Sequence, residues 1–429
     1  MTKTLIRGGA VLMLGARTSN LPAGDVLIED DRIAEIGVGL RDRSAEVVDA
    51  TSAIVLPGFI DAHRHVWTSL FRNLGQPSAP ASAADMSADD VYAATLIGLL
   101  GAAAAGITTV ADWFDPPAEG DGLAEAALRA HADSGLRTIF VEASRGERSG
   151  SRADAASVRR TLERLAAAAG PRTAVAFGSD VYAPAEPVDA AWPAAREVGC
   201  RIHLHATPRG ARAGVVADLA HRGLLGADVT IVHWAGLDAT DLDAVASSGA
   251  MLAISPSGEM AGGFGPPPIQ GFVDRDLRPG LGIGHEWLAP GDAFAPMRQT
   301  ISIQHATVFD RKLAGKGALP KMMTTRDVIR SATSDGARAL GMADRTGSLE
   351  VGRQADVLVL RTDAPNIFPV NDPIGAVVWG MDTSNVAWSF VGGQALVRDG
   401  EAVADLARAR ELAAAAHARL LPATAGVGA

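Results

Sequence analysis

Short runs of β-branched and apolar residues recur through the middle of the chain, separated by Ala-rich segments with helical spacing. Eight of these runs, at 54–60, 107–112, 137–142, 173–177, 201–205, 230–233, 251–255 and 280–283, read as strands. Segments such as LAEAALRAHADSG and AAWPAAREVG lie between them. Ser87 followed by Asp90 predicts a capping box at a helix start, and Gly106 marks that helix's end. Alternating β and α over this length predicts an α/β fold, a (β/α)8 TIM barrel over residues 55–346. The two ends of the chain differ. Residues 1–54 and 347–429 alternate short strands with turn signals and predict one small β-sandwich built from both termini. Residues 401–421 read as an Ala-rich amphipathic helix, followed by a frayed tail.

In a barrel of this kind, chemistry belongs at the C-terminal ends of the strands. The first strand ends in IVLPGFIDAHRHVW. Strand side chains alternate faces, so His63 and His65 share one side, about 7 Å apart along the strand. Two imidazoles there can converge on one cation at about 2.0–2.1 Å, which makes the pair candidate metal ligands. Asp112, His205, His233 and His285 also fall at predicted strand ends.

Composition narrows the partners. The 429 residues carry a formal net charge of −10 with no basic cluster, which argues against nucleic acid. The uncharged stretch from Tyr92 to Ala111 splits into a helix and a strand, so no membrane span is expected. The single cysteine, Cys200, reads as a packed thiol and suits a reducing, cytoplasmic setting. The N-terminus reads as a strand and not as a signal peptide.

LPGFIDAHRH, AGITTVADW, IHLHA, IVHWAGL, AISPSGEM and the C-terminal SATSDGARALGMADRTGSLEVGRQADVLVL together resemble the amidohydrolase superfamily nearly end to end. The likeness is greatest to its cytosine-deaminase and chlorohydrolase-like branch. It implies His63 and His65 as strand-one metal ligands. The strand-five ligand falls on His205 or His203. His205 lies nearer the mouth and is preferred, with His203 kept among the residues lining the site. His233 matches the strand-six histidine that orients substrate and water. No strand supplies an evident bridging lysine, so one divalent metal is expected, zinc first, with iron or manganese as alternatives. A homodimer is the expected assembly.

Two positions depart from the family pattern. Three residues after His205, where a proton-carrying glutamate is common, stands Pro208. At strand eight, where an aspartate binds metal and takes a proton, stands Gly284. Strand parity would turn Glu286 inward in its place. A bulge at Gly282 and Gly284 would turn His285 inward instead. Both stay candidate catalytic residues, together with His233 and with Glu259 after strand seven. Trp67, Asp112, Trp113 and Trp287 sit at strand ends and suit a flat, ring-bearing small molecule, although each aromatic also suits plain packing.

These observations favour a metal-dependent hydrolase that cleaves a C–N bond of a small cyclic or heteroaromatic compound, by deamination or cyclic amide or amidine hydrolysis. A non-hydrolytic lyase, isomerase or cyclase on the same scaffold, with or without metal, is the alternative that the two missing acids suggest. A non-catalytic binding protein is the third, opposed by the retained histidines.

Overall fold

The computed structural model describes residues 2–74, 79–143, 154–180, 188–206, 214–234 and 236–421. The first five strands are β1 Lys3–Val11, β2 Leu21–Glu29, β3 Arg32–Gly37, β4 Glu46–Asp49 and β5 Ala53–Pro57. The next eight are β6 Phe59–Arg64, β7 Ile107–Phe114, β8 Arg137–Ala143, β9 Thr173–Asp180, β10 Ile202–His205, β11 Val229–Val232, β12 Met251–Ile254 and β13 Gly280–Leu281. The last four are β14 Val357–Arg361, β15 Val386–Val391, β16 Gln394–Arg398 and β17 Glu401–Ala402.

Strands β6 to β13 pair in chain order, each parallel to the next, with helices between them. The ring is completed where the chain beyond β13 meets β6. The backbone N–H groups of Ile283 and Gly284 donate to the His63 carbonyl at 3.0 and 2.9 Å, and His65 N–H donates to the Gly284 carbonyl at 2.9 Å. Gly282 is needed for this closure. A Cβ there would lie 2.6 Å from the His63 carbonyl oxygen, closer than packed atoms approach. The expected eight-stranded α/β barrel is therefore present.

Strands from the two ends of the chain join in one continuous sheet, in the order β17-β16-β15-β14-β5-β1-β2-β3, with β4 beside β1. The run 54–60 is two elements and not one barrel strand. Pro57 lacks a backbone donor and ends β5, which pairs with β1 and β14; the barrel begins at Phe59. Buried Arg137 at the base of β8 donates to both oxygens of Asp356 beside β14, at 2.8 and 3.0 Å, tying barrel to sheet.

The capping box at Ser87 and Asp90 is present, and it opens the helix Ala88–Ala104. The terminal helix is shorter than expected. It runs Leu406–Leu420, because Glu401 and Ala402 are taken by β17. Its buried Ala409, Ala416 and Leu420 are its packed face, and Ala409 packs in one cluster with Leu96 and Leu100 of Ala88–Ala104. Among the described residues no helix is long and apolar enough to cross a membrane. The main core lies between barrel and helices, around Phe59, Leu99, Ile107, Leu204, Trp234 and Phe294.

Candidate metal centre

Five buried histidines from four parts of the barrel meet at its C-terminal mouth. His63 is central, with ring centroids 5.0 Å from His65, 4.9 Å from His205 and 4.8 Å from His233. One ring nitrogen from each of His63, His205 and His233 lies within 4.8 Å of the others. The Nε2 atoms of His63 and His205 are 3.3 Å apart. Two nitrogens bound tetrahedrally to one ion at about 2.0–2.1 Å stand about 3.4 Å apart, so this spacing fits a shared cation.

Carboxylates hold the far nitrogens. Register places Asp180 of β9 beside His205 of β10, and its Oδ1 is 3.0 Å from His205 Nδ1. His65 Nδ1 is 2.7 Å from Asp115 Oδ1, which also accepts from Trp67 Nε1 at 2.9 Å. His233 Nδ1 is 3.2 Å from Glu259 Oε1, and that oxygen also accepts from the Ser255 N–H at 2.9 Å. A carboxylate on the far nitrogen fixes the ring and leaves the other nitrogen's lone pair for a cation. His233 adopts φ +64° just past β11, a conformation uncommon outside glycine and typical of functional positions.

Burial favours the neutral form of His63 and His205. His63 is driven well below the usual histidine value, first by burial and then by neighbouring His233, His205 and His65. Burial also pushes His205 down to about 4, although Asp180 opposes the change. The buried atoms without hydrogen-bond partners here include His65 Nε2 and Glu259 Oε2. Converging, carboxylate-oriented imidazoles with an orphaned ring nitrogen are the donor set a borderline-soft divalent cation takes.

At strand eight the chain bulges. Gly284 adopts φ +74°, which the glycine permits at no steric cost, and His285 turns toward the rings. His285 stacks on His65 at 3.9 Å and on Trp287 at 4.4 Å, with its Nδ1 unpartnered. Burial drives it, too, well below the usual histidine value. Glu286 makes its contacts elsewhere, with Arg64, Arg72 and Ser69. Parity therefore does not carry through the closure, and of the two strand-eight candidates the structure brings His285 to the cluster.

The remaining candidates divide. Trp113 stacks on His205 at 3.6 Å and 12°, and Trp67 packs edge-on against Trp287 at 5.7 Å. His203 is buried on β10, its Nε2 without a partner. Burial lowers it to about 3, and Arg201 adds to the effect. Asp112 is not brought to the rings. Adjacent to inward Trp113, it bonds His131 Nε2 at 2.8 Å and accepts from Val66 N–H at 2.9 Å. Pro208 lies outside the described residues.

Sequence reading missed Asp115 and Asp180. The fourth strand runs to Asp180, beyond the apolar run that marked it, and a carboxylate at a strand end carries no signal until register shows its partner.

The model of the amidohydrolase family matches residues 54–396. The 5-methylthioadenosine/S-adenosylhomocysteine deaminase of Halobacterium salinarum is 29% identical, with 96% of this chain and 97% of that protein covered. The 5'-deoxyadenosine deaminase of Methanosarcina mazei is 26% identical, covering 93% of this chain and 94% of its own. Among solved structures, a zinc-bound atrazine chlorohydrolase from Arthrobacter aurescens superposes with a TM-score of 0.82 at 24% identity, covering 96% and 100% of the two chains. A zinc-bound adenosine deaminase from Xanthomonas campestris gives 0.79 at 18% identity, covering 98% of each. With the family model spanning the barrel and strands β14 and β15 of the terminal sheet, the chain belongs to the amidohydrolase family.

Proposed function

We propose that this amidohydrolase, a hydrolase of C–N bonds outside peptides, removes the exocyclic amino group of an adenine nucleoside as ammonia, using one divalent cation, zinc first. The observation that carries the reading is the converging histidine cluster with its 3.3 Å Nε2 pair. The named activities of the full-length relatives supply the substrate class.

His63, His65 and His205 are assigned to the cation and His233 to the proton. His233 competes for the ligand role, since its nitrogen joins the tightest trio. Two observations support the assignment. His65 has an orphaned Nε2, whereas the carboxylate behind His233 keeps one buried oxygen, Glu259 Oε2, unpartnered. The His233–Glu259 pair is thus able to take up a proton and stabilise the imidazolium, as a histidine–carboxylate dyad does. Bound there, the cation would supply Lewis acidity and lower the pKa of water. In the hydrolysis, water oxygen bonds to the ring carbon and one water proton passes to His233. The C–N bond then breaks, and His233 returns that proton to the leaving nitrogen, giving ammonia. His285, neutral and with a free Nδ1, takes the place of the strand-eight acid as an uncharged hydrogen-bonding group. Trp113 and Trp287 flank the rings.

The test is ammonia release and product mass for a panel of 5'-modified adenosines, with metal content measured on the same zinc-loaded samples. Wild type is expected to hold about one zinc per chain. His65→Ala should lose the metal, and His233→Ala should keep it while losing at least about 10²-fold in kcat. Metal lost from His233→Ala but kept by His65→Ala would reverse the assignment. The missing acid at Gly284 favours one competitor, a lyase or isomerase on the same scaffold. It would consume substrate without exchanging nitrogen for oxygen.

A further inference from the structure

Arg64, set between two cluster histidines, and Glu286, set beside a third, are almost fully buried charges that touch none of the rings. The Glu286 carboxylate gathers three donors. Arg64 Nη2 and Ser69 Oγ, the latter at 2.6 Å, meet Oε1, and Arg72 Nε meets Oε2. The Glu286 backbone N–H donates to Thr68 Oγ1 at 3.1 Å. Every one of these partners belongs to β6 or to the 3-10 helix Val66–Phe71 and its C-cap, Arg72. Residue 286 is thus fastened to the strand-one side through both backbone and side chain.

Residue 285 is fastened differently. Asp115, Asp180 and Glu259 hold His65, His205 and His233. No carboxylate among the described residues bonds the His285 ring, which rests on stacking with His65 and Trp287. Its backbone runs from Gly284, whose N–H and carbonyl bond to His63 and His65, to the anchored Glu286. Stacking alone is weakly directional, so these fixed neighbours set where the ring stands, and Glu286 is the one held by its side chain.

We propose that the Glu286 carboxylate, clamped by Arg64, Arg72 and Ser69, is a positioning residue that holds His285 in the cluster from one residue away. The proposal rests on the role given to His285 above. The clamp stands where a direct carboxylate contact serves His65, His205 and His233.

The experiment is a double-mutant cycle on the zinc-loaded full chain, with kcat, KM and metal content for wild type, Glu286→Gln, His285→Ala and the double variant, together with crystal structures of wild type and Glu286→Gln. Glu286→Gln is expected to lower kcat about 10²-fold, the scale of an ångström's misplacement. KM should stay within about threefold. The double variant should be no slower than His285→Ala, and the His285 ring should leave its stack on His65. If Glu286→Gln does not fold, Arg72→Gln replaces it; that side chain is 32% exposed, and its loss leaves the Arg64 pair intact. The same slowing with and without His285, or an unmoved ring with unchanged kcat, overturns the proposal. A wild type that releases no ammonia overturns the proposed function instead, and the position of the His285 ring in the two crystal structures then decides the clamp.

Discussion

Two buried polar clusters share strand one and solve burial in opposite ways. Around His63, burial and mutual repulsion drive His63, His205 and His285 below their usual range, toward the neutral form. Around Arg64 the Glu286 carboxylate keeps its charge. Burial works against the Glu286 carboxylate, yet Arg64, Arg72 and Ser69 outweigh it and hold the group down to about 2. Nearby Asp61 is pushed by burial up to about 7, with Arg64 opposing. A buried site that must receive a cation is built from lone pairs awaiting charge. A buried site that must stay rigid is built from charges already matched.

The widest effect should come from unmatching the charged cluster. Arg64→Met removes the fully buried partner of Glu286 and leaves it Arg72 alone, and removing one partner of a buried pair typically costs about 3–5 kcal/mol. Urea titration should show that loss, and Glu286→Leu added to Arg64→Met should recover much of it. Two losses that simply add would mean the charges do not act as a pair.

The neutral cluster should respond in metal affinity. Asp180→Asn removes the charge behind His205 and is expected to weaken metal binding about 10–100-fold with little change in stability of the apo chain. Chelator competition measures it. Unchanged affinity would place His205 outside the coordination sphere.

The smallest effect is a slope. The Glu286 carboxyl is depressed in the folded state from 4.5 to about 2. Its contribution is therefore complete above pH 4.5 and is lost as the pH falls toward 2. Glu286→Gln should flatten the acid limb of the stability curve in that window by about one proton. An acid limb as steep as in wild type would show that Glu286 does not carry that proton.

The two clusters were unequally legible in the sequence. The alternating runs carried the barrel, and His63, His205, His233 and His285 stood out because each follows an apolar run. The bulge at Gly282 and Gly284 was open to inference from glycine alone, but the choice between His285 and Glu286 was not. That choice depends on Arg64, Ser69 and Arg72, more than 200 residues away, drawing the glutamate to themselves. Carboxylates behind histidines are set by register between strands, which local pattern does not encode. The division of residues 54–60 between two sheets was hidden for the same reason, since its deciding partner is β14.

That last pairing has a consequence for synthesis. Only Gly58 separates β5 from β6, which bears His63 and leads into His65, and β5 is registered from Ala53 to Pro57 against Arg361 to Val357. A chain emerging from the ribosome makes its first two candidate ligands some 300 residues before the strand that aligns them. Until then one side of β5 is an open edge of apolar residues, a place where another chain can pair. Maturation of the centre is thereby coupled to completion of translation, and a chain cut short before β14 faces aggregation before it faces any question of metal.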